Sequence, residues 1–147
     1  MGTTEAERQQ ALIELRGFRR ESSALRESLQ RYETMLEHVG REVENGVPLH
    51  EVMTKIGVAT NRLNLLQRLT RFEDARHRMR VACFRLSHAE GLTISDIARL
   101  WGISRQLAAR FIKESLTDTP KPDTSRTGLG ALPVGLQQLL PEPPPQP

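Results

Sequence analysis

The sequence predicts an all-α protein in three parts. A long N-terminal helical hairpin or coiled coil takes residues 1–70, a small domain of short helices takes 71–116, and a Pro-rich tail takes 117–147. Three observations carry this. Residues 5–45 hold no Pro and only Gly17 and Gly40, and their apolar residues recur at spacings of three and four. Between Gly91 and Ser115 the helical period appears twice in short runs separated by Gly102. Beyond Leu116 the composition turns to Thr, Asp, Pro, Ser and Gly and the chain ends LLPEPPPQP. Such a segment cannot bury enough apolar surface to offset the entropy of ordering it, so a flexible tail is expected.

In the first part Leu15, Phe18, Ser22, Leu25, Leu29, Tyr32, Leu36, Val39 and Val43 make a heptad seam in which Ser22 is the polar member. One helix along it would be about 60 Å long, so a partner helix must cover the seam. Gly46-Val47-Pro48 stops it and allows a reversal, with Pro48 tolerated in the first turn of the next helix. Leu49, Val52, Ile56, Ala59, Leu63 and Leu66 then repeat the pattern, which predicts an antiparallel hairpin. Gly57 falls inside the second helix and is expected to weaken or kink it by about 1 kcal/mol. The second seam is shorter than the first. It leaves apolar surface for another protomer, so Leu15, Phe18, Leu25, Leu29, Tyr32, Leu36 and Val39 are the expected self-association residues.

Near residue 70 the register changes to Phe72, Ala75, Met79, Ala82, Cys83 and Leu86. This reads as the first helix of the second domain, over 71–90 and ended by Gly91; the pattern leaves open whether it continues the helix before it. In GLTISDIARLWGISRQLAARFIKES (91–115), Ile94, Ile97, Ala98 and Trp101 form one apolar face. Thr93 caps that helix, with Asp96 three residues on. Gly102 supplies the turn, Ile103 drops into the core, and Ser104 caps a second helix that buries Leu107, Ala108, Phe111 and Ile112. The opposite face of that helix shows Arg105, Gln106, Ala109, Arg110 and Lys113.

Two short helices crossing through a glycine turn resemble the helix-turn-helix superfamily of DNA-binding proteins over about residues 71–115. Ala98, Gly102, Ile103, Ser104, Ala108 and Phe111 carry the resemblance, and the run from Gly102 to Gln106 looks like that of sigma-factor-like and repressor-like members. The departure is Trp101, bulkier than the aliphatic residue usual before the turn. The resemblance implies that the second helix enters the major groove, with Arg105, Gln106, Ala109 and Arg110 facing base edges. It also implies that Thr93, Ser95, Arg99, Ser104 and Lys113 lie against phosphates.

Charge supports this placement. Residues 1–47 sum to −2, 48–70 to +2, 71–116 to +4 and 117–147 to −1, so the excess positive charge sits on the expected reading domain. The single cysteine, Cys83, excludes an internal disulfide and suits a reducing compartment. No apolar run approaches a membrane span, and MGTTEAERQQ lacks the layout of a signal peptide, so a cytoplasmic, nucleoid-associated protein is expected. His38, His50, His77 and His88 have no zinc-ligand spacing, and Glu73–His77 reads as a surface helix pair. With no phosphate loop or nucleophile motif, no enzyme, metal or cofactor is expected.

Two functions fit. One is a transcriptional regulator that binds double-stranded DNA as a dimer formed by its N-terminal helices. The other is a protein-interaction adaptor that uses the same fold without DNA, its partner held by the coiled coil or the Pro-rich tail.

Overall fold

The computed structural model describes residues 2–116, and the side chains of residues 2–114. The tail expected over 117–147 lies outside the described residues, apart from which the all-α expectation holds. The described residues form five helices and no strand: α1 (Gly2–Glu44), α2 (Leu49–Ile56), α3 (Val58–Ala89), α4 (Ile94–Trp101) and α5 (Arg105–Leu116).

Helix α1 runs 43 residues without a break. Its partner is α3, antiparallel to it: Glu7 meets Arg85 at 2.8 Å, Glu14 meets Arg78 at 3.4 Å, and Glu21 meets Arg68 at 3.5 Å. These acids are seven residues apart and form one row of the seam. The other row holds Ala11, which is fully buried, and Phe18, whose ring lies 5.2 Å from that of Phe72. On the α3 side Ala75, Met79 and Ala82 are buried, and the two alanines let the helices approach closely.

The seam therefore differs from the expected one. Phe18, Leu25, Tyr32 and Val39 are half-buried on the row that faces α3. Leu15, Leu29, Leu36 and Val43 lie one step further round α1 and are exposed, at 44%, 40%, 51% and 44%. Apolar spacing predicts a seam with both rows apolar. In the fold one row is ionic, because α3 supplies an arginine opposite each of the three acids.

The second arm of the hairpin is also divided differently. Gly57 takes a left-handed conformation (φ 63°, ψ 55°) and ends α2, so the kink expected there is a complete break. Asn61 Nδ2 donates to the Ile56 carbonyl at 2.7 Å and secures the junction. From Val58 the chain is helical to Ala89, passing through residues 70 and 71 without interruption. The hairpin and the small domain are thus built on one shared helix, and residues 2–116 lie in one compact unit.

Candidate nucleic-acid interface

The end of α3 packs with α4 and α5 around Phe84, Ile97, Ala98, Ala108, Phe111 and Ile112, with Trp101, Ile103 and Leu107 closing the edges. Phe84 is completely buried. Its ring meets Trp101 at 5.0 Å and Phe111 at 5.4 Å, both edge-on, the arrangement the ring quadrupoles favour. Trp101, the bulky residue before the turn, is accommodated as one wall of this core.

The sequence dictates the turns that aim α4 and α5. Thr93 Oγ1 accepts from the Asp96 backbone N–H at 3.2 Å, while Asp96 Oδ2 accepts from the Thr93 N–H at 3.0 Å and from its hydroxyl at 2.6 Å. This reciprocal box satisfies donors at the start of α4. At its end Gly102 is left-handed (φ 64°, ψ 34°), and the Ile103 N–H reaches back to the Ala98 carbonyl at 3.0 Å. Ser104 Oγ then accepts from the Leu107 N–H at 3.1 Å and starts α5.

With the core face of α5 inward, Arg105, Gln106, Arg110 and Lys113 are exposed and Ala109 is half-buried between them. They share one face of the helix. Thr93, Ser95 and Arg105 also come together: with His88, Gly91, Leu92 and Ile94 they line an open recess of about 410 Å³ between the start of α4 and the start of α5. Arg99 stands outside the recess, mostly exposed and 3.7 Å from Asp96. The hydroxyls of Thr93 and Ser104 already serve as caps. Thr93 both donates and accepts within its box, whereas Ser104 keeps its O–H to donate.

The ion pairs sharpen the charge argument. Arg78 and Arg85 are engaged by α1, and Arg76 holds Glu73 at 2.9 Å. Glu73 therefore pairs with Arg76, not with His77 as the spacing predicts; His77 lies 3.7 Å from Glu114 of α5. A residue that the sequence does not single out is Arg80, whose guanidinium lies over the Phe111 ring at 4.8 Å. Burial, with repulsion from Arg76, lowers its pKa against attraction from Glu73, and it still carries its charge at neutral pH. It braces α5 from behind, as His77 does 5.4 Å from the same ring. The only sequence signal for either is its place one or two turns before Phe84 on the same face of α3. Cys83 is half-buried, and its burial raises the thiol pKa.

Three helices around one small core, with a capped second helix, a glycine turn and a basic third helix, define a helix-turn-helix domain, a DNA-binding class. Residues 74–119 match the family model of the homeodomain-like domain, so this segment belongs to the helix-turn-helix superfamily. No curated protein and no solved structure matches the chain. Among the described residues, no helix is long and apolar enough to cross a membrane.

Proposed function

We propose that the protein is a sequence-preferring DNA-binding regulator of transcription, acting in the cytoplasm on the nucleoid as a dimer formed through its N-terminal helices. The observation that supports this is the α5 surface. Arg105 and Arg110 are exposed on one face with Gln106 and the small Ala109, and among the described residues no carboxylate forms an ion pair with either arginine. Arginine offers a fork to guanine and glutamine a matching pair to adenine, so this face reads bases. Thr93, Ser95, Arg99, Ser104 and Lys113 hold phosphates around it. One such helix covers only a few base pairs, which is why two copies on spaced half-sites are needed.

The test is binding to a genomic fragment pool across salt concentrations, with wild type against Arg105→Ala/Gln106→Ala. Enrichment of defined sites is expected, lost in the variant at unchanged helicity. If each protomer neutralises about four phosphates, a dimer shows a log–log salt slope of roughly −7. Binding that ignores the variant reduces the interaction to charge alone, and no binding near 50 mM salt overturns the reading. The adaptor alternative draws on the exposed leucines of α1. It requires partner capture that survives Arg105→Ala/Gln106→Ala and is lost in Leu29→Asp.

A further inference from the structure

The second apolar row of α1 has no cover within the described residues. Leu12, Leu15, Leu29, Leu36 and Val43 are each more than a third exposed and share a strip at spacings of three, four or multiples of seven. Arg19, Ser22, Arg26, Glu33 and Gly40 occupy the remaining places in the strip. A hairpin that half-buries a ladder of glutamates and leaves leucines outside has an apolar face turned toward something else.

Charge identifies the occupant and its direction. Residues 16–31 of α1 carry a net charge of +3 and residues 32–44 carry −3. None of Arg16, Arg19, Arg20, Glu33 and Glu37 forms an ion pair within the described residues. The stretch from 16 to 44 is thus positive in its first half and negative in its second, and such a stretch is complementary to itself only when reversed. Parallel pairing in register would set Arg19 on Arg19, Arg26 on Arg26 and Glu33 on Glu33, and like charges so placed repel.

We propose that the outward row of α1 is covered by α1 of a second copy running antiparallel, crossing near residues 27 and 28. This deepens the dimeric reading above and rests on it for the presence of a second copy. In that register Leu12 lies across from Val43 of the second copy. Leu15 lies across from Gly40, where a Cβ would meet nothing within 4 Å and a leucine can settle. Arg16 and Arg19 fall within one turn of Glu37 and Glu33 of the second copy. The association is isologous, each contact occurring twice about the two-fold axis. The reading domains pack beside the first turns of α1, where Glu7 meets Arg85. They therefore stand about 60 Å apart along the paired helices, nearer two turns of B-form DNA than one.

Two measurements on the full chain without DNA test this. The first is the sedimentation mass of wild type, of Arg16→Glu/Arg19→Glu, and of the chain that adds Glu33→Arg/Glu37→Arg to it. A dimer, a monomer and a restored dimer are expected, because reversing both ends restores complementarity only in antiparallel pairing. The second is the spin–spin distance in Gly40→Cys on a Cys83→Ser background, which does not depend on the charge variants folding. Antiparallel pairing places the labels about 40 Å apart; parallel pairing places them about 10 Å apart. A monomeric wild type at about 100 μM, a distance near 10 Å, or a dimer indifferent to the charge reversals overturns the proposal. Because DNA is absent from both, a failure of base reading leaves these results standing, and the reverse.

Discussion

The Arg85 guanidinium donates to the Glu7 carboxylate across 2.8 Å, fastening the first turns of α1 to the last turns of α3. Glu7 is the more enclosed partner, its side chain 15% exposed against 35% for Arg85. Replacing Arg85 with Leu leaves that carboxylate half-desolvated and unpaired. The expected cost is about 1 kcal/mol, discounted for the solvent that reaches the pair. Its signature is local: amide exchange over residues 5–12 speeds up while the midpoint of global unfolding moves little. Glu7→Gln added to Arg85→Leu should cost less than the sum of the two, the mark of a direct pair.

Acid should loosen the start of α4. The Thr93 hydroxyl and then its backbone N–H donate to Asp96, and with attraction from Arg99 they hold its carboxyl below the ordinary value of 3.8. A depressed carboxyl contributes stability that is complete above 3.8 and is lost as pH falls through the folded-state value. Melting of wild type and Asp96→Ala followed from neutral pH downward should therefore converge only below 3.8. Thr93→Ala removes the other half of the box, at about 1 kcal/mol.

Gly102 separates two sources of glycine preference. A Cβ there would meet nothing within 4 Å, so its requirement is one of backbone and not of space. Gly102→Ala should cost about 1–2 kcal/mol in thermal melts, and Gly102→Asn less, since asparagine tolerates the left-handed region. An alanine variant as stable as wild type would show that the turn can relax without moving α5.

The helix-turn-helix domain is legible in the sequence because its signals are local. Thr93 with Asp96, Gly102 and Ser104 each act within four residues, and the apolar period between them leaves one face for Arg105, Gln106, Ala109 and Arg110. The hairpin is less legible, for a physical reason. Spacing alone puts Leu15, Leu29 and Leu36 in the same seam as Phe18 and Leu25, since it cannot say which of two adjacent rows a partner helix will cover. The deciding information lies some 50 to 80 residues away in Arg68, Arg78 and Arg85, which make Glu7, Glu14 and Glu21 acceptable inside. Gly57 reads in the sequence as a weak point within a helix, while its left-handed geometry makes it a joint between two. The unbroken passage of α3 through residues 70 and 71 is ambiguous in the sequence because Phe72 starts a new row without any stop signal before it.

Because α3 is at once the second arm of the hairpin and the first helix of the helix-turn-helix domain, the described residues have no joint between shaft and head. A head on a flexible tether must surrender its rotational freedom each time it settles into a groove, a cost that subtracts from affinity. Here that freedom was given up when the chain folded. The angle at which α5 is presented is therefore inherited from the hairpin, and a twist applied to the shaft turns Arg105 and Gln106 with it.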